Sequence, residues 1–208
     1  MDENMRKRNE LLAQTVIKGL KSRNMSGYYA ADKEEAVKLA LELIPEGSSI
    51  AMGGCMSAQE IGLIQVLEDG NYNYIDRAKL APREGLLAAY DADIFLSSAN
   101  AITSDGIMVN IDGNSNRVSC IAQGPRKVVF IVGMNKVCPD LDDAMKRARN
   151  VAAPANAQRL TSRHPARRPE NASTANPRIR SARQFLITRY SRHADRIHVI
   201  LVNDTLGF

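Results

Sequence analysis

Between Ser98 and Arg117 the chain concentrates hydroxyl, amide and acidic side chains among glycines: Ser98-Ala-Asn-Ala-Ile-Thr-Ser-Asp-Gly106, then Val109-Asn-Ile-Asp-Gly113, then Asn116-Arg117. The run reads as a strand, a tight turn at Asp105-Gly106, a second strand and a polar loop opening a helix. Asn100, Thr103, Asp112, Asn116 and Arg117 together offer hydrogen bonds and charge to a carboxylate or a phosphate. The plainer alternative is that Asn and Asp satisfy turn backbone, and their density exceeds what two turns use.

Two further loops belong to the same chemistry. In Gly53-Gly54-Cys55-Met56-Ser57 the glycines permit close backbone approach, and a helix start would present free N–H groups to an anion; the alternative is a tight turn. Cys55 at that helix start is expected to have a lowered thiol pKa, which makes it a candidate nucleophile, with Asp112 as the other catalytic candidate. A thiol nucleophile needs a base, and His164, His193 and His198 all lie far along the chain without pairing spacing. Lys136 follows an apolar strand ending at Val132 and is either a further ligand-binding residue or simply solvated. The ligand-binding set is therefore Gly53, Gly54, Ser57, Asn100, Thr103, Asp112, Asn116, Arg117 and Lys136. Cys55, Cys120 and Cys138 show no CxxC spacing, so neither a disulfide framework nor a metal set is expected, and Cys120 and Cys138 read as core thiols.

The elements that must position these loops follow from hydrophobic period and end signals. Helical spacing runs from Asn4 to Lys21. Asp32-Lys-Glu-Glu35 is a capping box for a second helix to Leu43, and Ser57-Ala-Gln-Glu60 is another, for a helix through Leu67. Helices are also expected over 83–90, 116–123 and 141–152, the last stopped by Pro154. Strands are expected over 49–52, 93–97, 107–111, 128–132, 184–190 and 196–202. The fully apolar 128–132 suits the centre of a parallel sheet. The alternation predicts an α/β fold: an open, mostly parallel sheet with helices on both faces, N-terminal helices and C-terminal antiparallel strands, as one domain over 1–208. In such sheets ligands sit outside the carboxyl ends of the strands, where the three loops would meet.

Composition limits the function classes. Of 208 residues, 44% are hydrophobic and 25% charged, as in ordinary globular domains. No apolar run reaches the roughly 20 residues of a membrane span, and the charged start Met1-Asp-Glu-Asn-Met-Arg-Lys-Arg is not a secretory signal, so a cytoplasmic location is expected. The net charge of +5 resides in one segment, 161–183, with six arginines against the single acid Glu170. That segment has no aromatic residue, so it lacks the interleaving of a nucleic-acid surface; it reads as a solvated, unordered loop.

These motifs resemble the LUD (lactate utilisation) domain family, which includes the small subunit of a lactate-oxidising iron–sulfur complex. The resemblance rests on Gly53-Gly-Cys-Met-Ser-Ala-Gln-Glu-Ile-Gly62, the stretch Ala92 to Gly106, Val109 to Arg117, Gly124-Pro125, Val132-Gly-Met-Asn-Lys136, Ala153-Pro-Ala-Asn-Ala157 and Leu206-Gly-Phe208. It implies the sugar-phosphate isomerase/CoA transferase-like fold, a small anionic metabolite as ligand, and a link to oxidation of lactate or a similar 2-hydroxy acid. No flavin or nicotinamide fingerprint is present, so that reading implies electron transfer to an iron–sulfur partner subunit. A homo-oligomer is a further expectation. The alternatives are a stand-alone sugar-phosphate isomerase or CoA/acyl transferase-like enzyme, or a non-catalytic ligand-binding subunit. Asn100 stands where the isomerase branch has an Asp, and Cys55 where relatives commonly have Ser.

Relatives carry a four-cysteine stretch before the last strands that would suit zinc or an iron–sulfur cluster. Here the Arg-rich segment replaces it, and the chain as written has no such cofactor site. Read one base out of frame, Cys codons are permitted at Pro165-Ala166, Asn171-Ala172, Thr174-Ala175 and Ser181-Ala182, at the family spacing. The other reading is a divergent Arg-rich loop. Sequencing the coding nucleotides from Leu160 to Phe185 separates them. The expected result is that one single-base change near each end restores the four cysteines; absence of any such reading makes the loop genuine.

Overall fold

The computed structural model describes residues 2–163 and 183–208. Its main sheet is built from β1 (Ser26–Ala30), β2 (Ser49–Met52), β3 (Asn73–Ile75), β4 (Ile94–Ser97), β7 (Lys127–Gly133) and β10 (Ile197–Val202), in the order β1-β10-β7-β4-β2-β3. Every neighbouring pair is parallel. The apolar β7 lies near the centre, as its composition demands. Its alternate residues feed two cores. Val128, Phe130 and Val132 face α1 (Glu3–Ser22), α5 (Pro82–Asp91) and α6 (Asn116–Ala122). Val129 and Ile131 face α2 (Lys33–Leu43), α3 (Met56–Glu60) and α4 (Leu63–Asp69). Helices thus cover both faces. Among the described residues no helix is long and apolar enough to cross a membrane.

A second, four-stranded sheet grows from the carboxyl edge of the first: β5 (Ala101–Thr103), β6 (Met108–Asp112), β8 (Val137–Cys138) and β9 (Gln184–Thr188), in the order β8-β5-β6-β9. Strand β4 passes through Ser98-Ala-Asn100 straight into β5, and β7 through a single turn, Met134–Lys136, into β8. The parallel β4–β7 pair is therefore continued by a parallel β5–β8 pair. Helix α7 (Leu141–Arg147) packs Ala144 on this small sheet.

The α/β architecture agrees with the sequence reading, with three corrections. Of the two C-terminal strands, β9 is antiparallel to β6, whereas β10 runs parallel between β1 and β7, where Ile197, Val199 and Leu201 enter one core and Ile200 and Val202 the other. Ser57-Ala-Gln-Glu60 is not a capping box. Cys55 precedes the first turn of α3 without a side-chain cap, the Ser57 hydroxyl turns inward to Lys136 and Ser98, and the Glu60 carboxylate accepts the Gly207 N–H at 2.7 Å. The helix also breaks at Gly62, which adopts φ 81° before α4. Pro154 does not stop the chain's helical course. A wider π-type turn over Ala148–Ala152, with the Ala153 N–H reaching back to the Ala148 carbonyl, admits the proline ring and α8 (Ala153–Arg163) follows. The segment expected as a loop over 161–183 begins within α8, and its residues 164–182, with the shifted-frame cysteine positions, lie outside the described residues.

Helix α1 docks on the β5–β6 turn through two glycines. A Cβ on Gly19 would sit 2.4 Å from the Asp105 carbonyl carbon and oxygen, and one on Gly106 2.6 Å from the Leu20 nitrogen. Arg23 secures the same turn, donating through Nε to the Asp105 carbonyl at 2.7 Å and pairing with its carboxylate. Gly→Ala inside a helix ordinarily stabilises by about 0.5–1 kcal/mol. Here Gly19→Ala is expected to destabilise by about 1–3 kcal/mol through overpacking, read as a lower urea midpoint; a raised midpoint would contradict the packing.

Candidate functional site

At the carboxyl ends of β2, β4 and β7 the two sheets enclose a cavity of about 420 Å³. Its floor is the loop after β2, where Gly53 lets the backbone lie against Arg117: a Cβ there would meet Arg117 Cγ and Phe95 Cζ, both at 2.9 Å. Its wall is the connection Ser98–Asn100 and the loop Asp112–Asn116, and its roof comes from Ala152, Ala153, Asn156 and Arg159 at the start of α8.

Arg117 organises this region. Its Nη1 donates to the Ser98 carbonyl at 3.2 Å and Asn110 Oδ1 at 3.1 Å, and its Nη2 to Asn100 Oδ1 at 2.9 Å and the Ile111 carbonyl at 2.6 Å. The fork is thus spent on neutral oxygens of the protein, and burial draws the guanidinium pKa down against the opposing charge of Asp112. Asp112 has its own task. One carboxylate oxygen accepts the Asn114 and Ser115 N–H groups, the other the Arg117 and Val118 N–H groups, so the side chain folds the loop into α6.

Lys136 is the second buried cation, 2% exposed. Nζ donates to Ser98 Oγ at 2.9 Å and Ser57 Oγ at 3.1 Å, and the two hydroxyls lie 3.3 Å apart. Among the described residues no carboxylate comes within ion-pair distance of it. Burial lowers its pKa to about 8, with Cys55 and Glu60 opposing and Arg147 and Arg117 reinforcing the shift. Arg147, on α7, binds the Asn135 carbonyl at 3.1 Å and the Asn100 carbonyl behind the site.

The structure brings Gly53, Gly54, Cys55, Asn100, Asp112, Asn116, Arg117 and Lys136 to one cavity, and buries Ser57 directly behind Lys136. Thr103 stays outside it: its hydroxyl bonds the Asp105 carboxylate and takes the Ile107 N–H at 2.8 Å, holding the β5–β6 turn. Cys55 departs from the expected low pKa. It is buried, and desolvation pushes the thiol up, outweighing the Ala58 and Ser57 N–H groups and the nearby cations. Cys120 and Cys138 are buried free thiols away from it, and His198 sits at the amino end of β10 beside Tyr28. Among the described residues no three His, Cys, Asp or Glu side chains are grouped so that they could hold a metal ion.

Sequence reasoning passed over Ser98 as a functional residue, and missed Arg147, Asn156, Arg159 and Arg183. Asn156 Oδ1 accepts from Arg159 Nε at 3.1 Å and Nη2 at 2.8 Å, which aims that guanidinium over Gly54. The described lining residues thus include Arg117, Lys136, Arg159 and Arg183 against the acid Asp112, whose oxygens are engaged by amides. Of these, Ser98, Asn156 and Arg183 lay in stretches that stand out in sequence, whereas Arg147 and Arg159 did not.

A family model described as the LUD domain matches residues 13–202. Among solved structures, the crystal structure of a DUF162 family protein from Deinococcus radiodurans is similar, with a TM-score of 0.51 at 13% identity, covering 93% of this chain and 98% of that chain. At that identity the likeness shows the fold alone. Comparison with curated proteins gives no significant match.

The sign of the Lys136 shift predicts a pH dependence. Below pH 8 the folded protein carries the full cost of the buried ammonium. Between about 8 and the ordinary 10.5 the unfolded chain still holds the proton and the folded one does not, so stability rises with pH. The wild-type protein is expected to gain stability relative to Lys136→Met across this window, by at most about 3 kcal/mol, in urea unfolding at stepped pH. A difference that stays flat would mean the ammonium is not desolvated in the fold.

Proposed function

The chain belongs to the LUD domain family, a family associated with lactate utilisation, and from that premise we propose that its cavity binds the carboxylate of a small 2-hydroxy or 2-oxo acid in the service of lactate-type oxidation. The observation that carries this reading is Lys136: a buried ammonium bonded only to serine hydroxyls, with no protein carboxylate in reach among the described residues. An uncompensated buried cation is costly, and a ligand carboxylate supplies the missing charge. Arg117 contributes long-range positive potential without a free Nη donor, so direct contacts fall to Lys136, Ser98 and the Asn116 amide on the cavity wall. Electrons taken from a hydroxy acid would leave through a partner subunit.

One observation supports a second reading. The cavity is several times larger than a lactate ion, and Arg159 stands over Gly54 at its far side. That arrangement also suits a longer ligand with a second anionic group, such as a phosphosugar, and an isomerase-type or ligand-sensing role.

Isothermal titration with L-lactate, pyruvate and a pentose phosphate tests both. The first reading expects binding of the two acids, weakened by about a hundredfold in Lys136→Met, the worth of a charge-assisted bond of roughly 3 kcal/mol. Binding of the pentose phosphate alone, lost in Arg159→Ala, would replace it with the second.

A further inference from the structure

We propose that Lys136 captures a 2-oxo acid covalently, as an imine on Nζ, inside this cavity. The inference rests on the carboxylate-binding reading and deepens it, because it selects the oxidised member of the hydroxy acid/oxo acid pair.

Nζ of Lys136 sits between two serine side chains. Its partners are two hydroxyls, Ser98 Oγ at 2.9 Å and Ser57 Oγ at 3.1 Å, and no carboxylate among the described residues fixes the charge on it. A lysine held by a salt bridge stays protonated and is no nucleophile; one held by hydroxyls can lose its proton without losing its position. The titratable groups facing it are Arg117 from α6, Arg147 from α7, the Glu60 carboxylate and the thiol of Cys55, which burial keeps protonated. Burial and the two arginines disfavour the ammonium, which puts the amine within reach at neutral pH, about a tenth of it free at pH 7. Desolvation beside other cations is a recognised way to activate a lysine toward carbonyls.

Space and proton traffic are also present. Lys136 and Ser98 both line the cavity. The backbone of Gly207 passes beside Nζ, where even a Cβ would stand 3.2 Å away, so the missing side chain keeps that flank open. The neutral amine attacks the 2-oxo carbon; a C–N bond forms and the carbonyl oxygen takes up the proton that nitrogen releases. The carbinolamine then loses this hydroxyl together with the remaining nitrogen proton as water, giving the imine. No electrons are exchanged and no co-reactant is consumed. Ser98, hydrogen-bonded to Nζ and exposed to the cavity, is the residue placed to relay the proton, while Ser57, wholly buried, positions the amine.

The test is reductive trapping on the whole protein. Pyruvate with sodium cyanoborohydride is expected to add the mass of pyruvate less one oxygen atom, mapped by peptide mass spectrometry to the peptide carrying Lys136. L-lactate, which has no carbonyl, should add nothing. Lys136→Arg should abolish the adduct, and Ser98→Ala should slow its formation by about tenfold or more. Should the variants fail to fold, the peptide map of the wild-type protein stands alone. Pyruvate that binds in calorimetry yet leaves Lys136 unmodified, or modifies surface lysines equally, overturns the imine and leaves the carboxylate reading intact. Neither binding nor adduct overturns both.

Discussion

The guanidinium of Arg117 reaches four oxygens on two pieces of chain: the Ser98 carbonyl and Asn100 side chain of the connection leaving β4, and the Asn110 side chain and Ile111 carbonyl of β6. Every one of these acceptors is neutral, and the Asp112 carboxylate nearby is the opposing charge that favours the buried guanidinium. The interaction locks the small sheet against the main one. Gly53 is part of the same constraint, since only a residue without Cβ lets the β2 loop close on the Arg117 stem.

The position of the cavity follows from the way the strands leave the main sheet. Two adjacent parallel strands, β4 and β7, continue into β5 and β8, so the chain cannot simply turn back over a helix at that edge. The connections Ser98–Asn100 and Met134–Lys136 are held side by side, and this puts Ser98 and Lys136 in hydrogen-bond contact although they are far apart in sequence. The helix start after β2 adds Ser57 from a third direction. Carboxyl-edge placement of the ligand site is general for open parallel sheets; the second sheet covers part of that open edge, and burial there draws the Lys136 pKa down to about 8.

Much of the frame was legible because hydrophobic period and end signals are local. Asp32 caps α2 through the Glu35 N–H, as its box spacing indicates, and β2 begins and ends at the expected residues. The same local logic failed at Ser57 and Glu60, whose side chains found stronger partners in Lys136 and Gly207 than in their own helix start. It failed for Cys55 as well, since proximity to a helix start was outweighed by burial. At Pro154 a wider turn satisfied the backbone that a proline ordinarily breaks.

By itself the sequence determined the α/β class, the central place of the apolar strand at 128–132, and the clustering of Gly53, Asn100, Asp112, Asn116 and Arg117 near one loop edge. These depend on residue type and near-neighbour spacing. Only the tertiary structure decided what each group does. It assigned Asp112 to amide donors, Arg117 to holding two sheets together, Thr103 to a distant turn, and Lys136 to a buried place between two serines. Burial and hydrogen-bond partners set the charge state and reach of a side chain, and both come from segments that sequence spacing leaves far apart.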